Sequence, residues 1–320
     1  MNSGKENCEI CDAAFSRALE AREMMFGFRD SFTYCQCANC CALQIKRIPK
    51  DIGRFYPADY YSYQPLASSV ARRRRRGARR RRILEWPRIA MPLLRLLSKA
   101  DDTFYIYRAM GMRPASRVLD VGGGSGAHVL EMRDAGISGT LGIDPFIPDD
   151  VVFEDKLLAR KIAIDDLSGE YDFITFHHSL EHMPRQIDTL TQARRLLAPG
   201  GQVLIRIPTV TSEAFETYQE NWVNLDAPRH FILHSHKSLG IAAAKAGLRV
   251  NRLWCDSTGM QFMGSEQYRK DIPLTDPRSA AKTKSSELFS RAQRKNYEWR
   301  AMVLNRILRG DLLCAILVAA

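Results

Sequence analysis

Residues 119–129, LDVGGGSGAHV, constrain this chain more than any other stretch. An apolar run ends in an acid, a cluster of glycines follows, and a helix-like segment opens directly after them. Glycine allows the backbone close approach to a ligand, and the first amides of a helix attract anionic groups. Strand, glycine turn and helix together read as a nucleotide loop. Its spacing satisfies two patterns. Gly122, Gly124 and Ala127 give G-x-G-x-x-A, the dinucleotide fingerprint, while Asp120, Gly122, Gly124 and Gly126 give D-x-G-x-G-x-G. The loop alone does not choose between them.

The surrounding chain narrows the choice. From about residue 114, short apolar runs alternate with helix-like segments. RVLDV (117–121), GTLGID (139–144), KIAI (161–164), YDFITF (171–176), QVLIRIP (202–208) and RVNRLWC (249–255) read as strands. AHVLEMRDAG, QIDTLTQARRLLAPGG and SHKSLGIAAAKAGL read as helices, the second with Leu190, Ala193, Leu196 and Leu197 inward. Such alternation predicts a doubly wound, mostly parallel α/β sheet covered on both faces. Ligands of that sheet lie beyond the carboxyl ends of its strands, where Asp120, Asp144, Asp165 and the segment HHSLEH fall.

This series resembles the class I S-adenosylmethionine (SAM)-dependent methyltransferases. LDVGGGSG is similar to their first motif, GIDP to their second-strand acid, and RRLLAPGGQVLIRIP to their turn and fifth strand; LEH after the fourth strand is also typical. The resemblance implies a seven-stranded Rossmann-like sheet, with LLCAILVA (312–319) as its antiparallel seventh strand. It also implies SAM as cofactor. Gly122, Gly124 and Gly126 would hold the methionine portion, Asp120 its ammonium and Asp144 both ribose hydroxyls. Asp165, with Asp166 as a rival, would meet the adenine amine, and His177 belongs on the cofactor's side.

Six of eight cysteines lie in the first 41 residues. Cys8-x-x-Cys11 and Cys37-x-x-Cys40 have the spacing of a closed four-thiolate structural zinc site; Cys35 and Cys41 fall outside that spacing. The organisation expected is a zinc-binding head at 1–50, a linker and basic, helical segment at 51–112, and a methyltransferase domain at 113–320 with a helical insertion at about 256–311.

Arg72–Arg76 and Arg79–Arg82 hold nine arginines; without them the net charge of +11 falls to +2. A dense like-charge block is expected to be solvated and disordered. Its functional readings are an anionic membrane surface, with Leu93, Leu94, Leu96 and Leu97 at the interface, or a nucleic-acid backbone. Membrane contact is the preferred one, since no aromatic residues interleave with the arginines. No apolar run reaches the ~18–20 residues of a membrane span and no signal peptide is evident, so a cytoplasmic protein, peripheral to the membrane at most, is expected.

A hydroxyl acceptor needs a base. His230 is the first candidate and His178 the second; His178, Glu181 and His182 share one face of a helical turn by their i, i+3, i+4 spacing, which resembles the Glu-x-x-Glu-His metal site of ubiquinone-biosynthesis and small-RNA 2′-O-methyltransferases with His178 in place of the first glutamate, so that a divalent metal is an open alternative there. Trp222 offers a face to a sugar ring, and Arg229 a fork for carboxylate or phosphate. The four-cysteine head, this core and LDAPRHF resemble enzymes of surface-polysaccharide and deoxysugar biosynthesis. That implies O-methylation of a sugar nucleotide or glycan. The alternatives are an RNA methyltransferase gripping phosphates through the arginine block, and a sugar C-methyltransferase.

Overall fold

The computed structural model describes residues 6–57, 60, 70–85, 102–283 and 287–320. At the N-terminus, β1 (Phe15–Arg22), β2 (Ser31–Cys37) and β3 (Leu43–Ile45) form an antiparallel sheet. Its fourth strand, β10 (Ile232–Leu233), arrives from far along the chain and pairs antiparallel with β3. The buried apolar side chains are correspondingly continuous, from Cys8, Ile10 and Tyr34 through Leu180 and Trp222 to Leu317. Head and main sheet share one core.

The main sheet contains β4 (Arg117–Val121), β5 (Gly139–Ile143), β6 (Val151–Phe153), β7 (Lys156–Arg160), β8 (Tyr171–His177), β9 (Leu197–Pro208), β11 (Leu248–Cys255) and β12 (Leu312–Ala319). Their order is β11-β12-β9-β8-β4-β5-β7-β6. The five strands from β9 to β7 run parallel, and β12 is inserted antiparallel between β9 and β11. Central β4 and β8 are buried almost end to end, as covering on both faces requires. The sheet is Rossmann-like and mostly parallel, but it has eight strands rather than seven. KIAI is not one of them. Glu154 and Asp155, both at positive φ, make a tight turn between β6 and β7, so the third parallel strand ends at Arg160 and residues 164–166 form a 3-10 turn.

The arginine block is not a disordered tract: α1 (Val70–Glu85) is a helix. Seven residues apart, Arg73 and Arg80 lie on one face. Arg73 meets Asp134 at 3.0 Å and Glu154 at 2.8 Å, and Arg80 meets Glu131 at 2.9 Å. Between them Gly77 touches the backbone of Asp134, where a Cβ would come within 2.4 Å of the carbonyl oxygen. Asp134 and Glu131 belong to α3 (Ala127–Asp134), the helix that leaves the glycine loop. On α2 (Asp102–Met110), Arg108 donates to the carbonyls of Ile83 and Leu84, satisfying the free end of α1. Arg72, Arg74, Arg75, Arg76, Arg81 and Arg82 remain exposed. Leu93, Leu94, Leu96 and Leu97 lie outside the described residues.

The remaining helices are α4 (Gln186–Leu196), α5 (Glu213–Tyr218), α6 (His236–Lys245), α7 (Met260–Arg269) and α8 (Arg291–Arg306), the last two lying between β11 and β12. Among the described residues, no helix is long and apolar enough to cross a membrane.

Candidate functional site

The glycine loop is fastened to the strand ends around it. Gly122 and Gly123 donate to the carbonyl of Ile143 at the end of β5. Asp144, the next residue, accepts from Gly124 at 3.2 Å and from Phe146 at 2.9 Å. Burial pushes its carboxyl up while those two amides pull it down, and the rise prevails. A carboxylate offers about four acceptor positions, so two backbone bonds leave room for a diol. Asp120 sits beneath the loop, 2% exposed, and accepts from Thr175 at 2.8 Å. Gly122 has φ +77°, and a Cβ there would lie 2.4 Å from that of Ser179. That contact, with the Ser179 hydroxyl donating to Val121 at 2.6 Å, packs the segment after β8 against the loop. The close cradle and the free helix end beyond Gly126 fit an amino-acid carboxylate and a ribose.

The segment that Ser179 anchors carries the predicted catalytic residues. His178 has a left-handed backbone, φ +52°, and Leu180–His182 form a 3-10 turn rather than part of a longer helix. His178 Nδ1 lies 3.5 Å from a Glu181 oxygen, and His230 Nε2 lies 4.0 Å from the same oxygen. The rings of His182 and His230 are 4.7 Å apart. Glu181, His182 and His230 each offer a ligand atom within 4.8 Å of the others. His182 Nδ1 donates to the carbonyl of Arg229 at 2.9 Å, and His230 Nδ1 to that of Asn224 at 2.8 Å. Burial drives the His182 imidazole down to about 4. Burial pushes the Glu181 carboxyl up, but His178, His182 and His230 outweigh it and hold it low. The arrangement gathers one carboxylate and three imidazoles, groups suited to exchanging a proton.

A sequence family described as a methyltransferase domain matches residues 72–253. The chain belongs to this family. A tRNA U34 carboxymethyltransferase of Methylococcus capsulatus is 27% identical over 148 residues, 43% of this chain and 46% of the relative. A ubiquinone biosynthesis O-methyltransferase of Dechloromonas aromatica is 35% identical over 99 residues, 28% of this chain and 43% of the relative. The chain thus spans under half the length of these curated relatives. Among solved structures, the cyclopropane synthase MmaA2 of Mycobacterium tuberculosis has TM-score 0.41 and 16% identity, covering 68% of this chain and 87% of that one.

Within this methyltransferase domain, three predicted site residues are placed otherwise than expected. Trp222 is fully buried, its Nε1 donating to Asp311 at 3.0 Å, and has no face to offer a sugar. Arg229 is also fully buried. It donates to Glu23 of the head at 2.8 Å, to Asp226 at 2.6 Å and to the carbonyl of Phe55 at 3.1 Å, so its fork is already filled. Asp165 stands in the 3-10 turn Ile164–Asp166, half exposed and 3.7 Å from Arg185, five residues beyond the end of β7, and so not at a strand end. His177 ends β8, bonded to Tyr107 at 2.7 Å and stacked 4.6 Å from His128 of α3, which sets it beside the helix leaving the loop.

Sequence reasoning missed Glu23 and Tyr56. Tyr56, in a stretch read as linker, places its hydroxyl 3.2 Å from His182 Nδ1; its only signal was the density of tyrosines nearby. Tyr34 of the head donates to the carbonyl of His230 at 2.8 Å.

The four predicted cysteines converge. Sulfur–sulfur distances are 3.5 Å for Cys8 and Cys40 and 3.4 Å for Cys11 and Cys37, and all four atoms lie within 4.8 Å. Tetrahedral zinc with bonds of about 2.3 Å needs sulfurs roughly 3.8 Å apart, so the cluster fits that ion. The amides of Asn39 and Cys40 point at Cys37 Sγ, each at 3.4 Å. Cys35 is buried on β2 outside the cluster, and Cys41 is exposed.

Proposed function

We propose that this protein transfers the methyl group of SAM to a hydroxyl of an RNA, with a structural zinc ion held by its N-terminal cysteines. The observation that carries the acceptor class is α1. Its packed face holds Arg73, Gly77, Arg80, Ile83 and Leu84, while its solvent face displays arginines with no large apolar residue beyond Val70. An interfacial membrane helix needs a free apolar face, and that face of α1 is already used. Guanidinium groups on an ordered helix suit a phosphate backbone. The relatives named tRNA U34 carboxymethyltransferases support the same class. This reverses the expectation of a glycan, whose two proposed contacts, Trp222 and Arg229, are buried and paired.

SAM supplies an electrophilic methyl group on a sulfonium. The chain's own residues would do the rest. The loop at 122–126 and the start of α3 orient the amino-acid end, and Asp144 fixes the ribose. The acceptor hydroxyl's proton would pass to His230 Nε2, whose Nδ1–H is held by the carbonyl of Asn224. Burial of His230, 7% exposed, keeps competing water away.

The test is incubation with methyl-labelled SAM and total RNA, beside a panel of sugar nucleotides. Nuclease-sensitive label is expected, and His230→Ala should cut turnover while SAM affinity stays nearly constant. Label in sugar nucleotides and none in RNA would overturn the acceptor class. Loss of SAM affinity in His230→Ala would remove it from the base role.

A further inference from the structure

Helix α8 is fastened along one face and open along the other. Inward, Ala301 and Leu304 are buried, and Tyr297 stacks on Phe262 of α7 at 5.4 Å. Arg300 donates to Glu213 of α5 at 2.6 Å, and Asn305 donates to the Ser257 carbonyl at 2.9 Å. A capping box between Ser290 and Gln293 closes the first turn. The outward face is therefore held in place from behind. On it stand Trp299, 58% exposed, Met302, 45% exposed, and, just past the last turn, Ile307, 61% exposed. Trp299 lies three residues before Met302 and four before the partly buried Val303, which in turn lies four before Ile307, so these side chains adjoin on the helix surface. Three of the eight large apolar side chains exposed among the described residues thus share one stripe, which marks a contact surface rather than scattered exposure.

Cations frame the stripe. Arg291, Lys295 and Arg306 are exposed, at four-residue steps from Lys295, Trp299 and Met302 respectively. The one acid of the helix, Glu298, accepts from the Gly259 amide at 3.0 Å. From this arrangement we propose that the outward face of α8 docks on an anionic lipid bilayer. Trp299, Met302 and Ile307 enter the headgroup boundary, and Arg291, Lys295 and Arg306 meet lipid phosphates. A helix with an unused apolar stripe and flanking cations is the form that lies in that boundary. The amphipathic ring of tryptophan favours this depth, long basic side chains keep their charge among headgroups while their stems stay apolar, and anionic lipid attracts clustered cations. Helix α1 lacks the apolar half of the pattern. Two other occupants fit the stripe less well. An RNA base would stack on Trp299 and leave Met302 and Ile307 without a partner of their own kind. A second copy placed about a two-fold axis would set Arg291, Lys295 and Arg306 against their own duplicates. The inference is independent of the methyl acceptor, since it concerns where the enzyme sits.

The test is flotation of the full chain, purified with zinc, on vesicles of phosphatidylcholine alone or mixed with an equal part of phosphatidylglycerol. The chain is expected to float with the anionic vesicles and to stay behind with the neutral ones. Trp299→Ala with Met302→Ala should weaken partitioning more than about tenfold, and Lys295→Glu with Arg306→Glu should do the same. Arg74→Glu with Arg75→Glu on α1 should change it less than about threefold. An unchanged unfolding midpoint shows that each variant is folded. Failure of the parent to float with anionic vesicles would overturn the proposal. A folded Trp299→Ala, Met302→Ala variant that floats like the parent would also overturn it, tracing the binding to the arginines of α1. Loss of RNA binding or of self-association in that variant, with flotation retained, would overturn it by assigning the stripe to one of the other occupants.

Discussion

The two clusters of ligand-type side chains differ in origin and in what they leave open. All four thiols come from two C-x-x-C turns in one small sheet and close on one another within the head. Glu181 and His182 come from the turn after β8 and His230 from the approach to β10, and they meet only because the two sheets share a core. Four soft ligands complete a coordination sphere and stabilise a fold. A carboxylate and two imidazoles with an open ring nitrogen each make no such closed set and suit proton transfer. The lesson lies in the connection: Tyr34 donates to the His230 carbonyl, Ser235 donates to the Cys40 carbonyl at 2.5 Å, and Glu23 receives Arg229. The closed cluster is thereby wired to the open one.

Breaking the closed cluster should have the largest effect. Structural zinc in small modules contributes about 10–16 kcal/mol of folding free energy, so Cys37→Ser with Cys40→Ser should unfold the head. Zinc content, and loss of protection in hydrogen exchange at both β2 and residues 229–234, check this; retained protection at 229–234 would cut the wire. Next, Glu23→Ala strips one carboxylate from a fully buried guanidinium and should cost about 3–5 kcal/mol in urea unfolding, although no metal ligand is touched.

A smaller effect can be read through pH. Burial holds the His234 imidazole down at about 4. For a base depressed on folding, the unfolded chain takes up the proton first, so the stabilisation is full above pH 6.5 and disappears towards pH 4. His234 should account for about 3 kcal/mol of that loss, and His234→Gln should flatten the pH dependence of the unfolding midpoint by a similar amount. The smallest effect is at Ser235, which caps α6 in a capping box and also holds Cys40. Ser235→Ala should cost about 1–2 kcal/mol, without altering zinc content.

What the sequence made legible followed from local physics. The strands β4, β5 and β8 were visible as apolar runs bounded by glycine or acid, and the glycine loop and the C-x-x-C pairs carry their geometry in their spacing. What stayed hidden depends on residues far apart in the chain. Helix α1 is ordered by Asp134, Glu131 and Glu154, which no local rule attaches to an arginine run. Arg229 and Trp222 looked like exposed binding groups because Glu23 and Asp311, their buried partners, lie some 206 and 89 residues away. The β6–β7 hairpin escaped notice because its turn is Glu-Asp rather than the glycine pair that usually signals one.

The strand β10 has a practical consequence for anyone dissecting this protein. A polypeptide beginning after residue 50 would present Ile232 and Leu233 without the backbone of β3, along with apolar surface that Tyr34, Leu43 and Ile45 had covered. Unmated edges of that kind recruit other molecules, so the shortened product should clump during production rather than yield an active fragment.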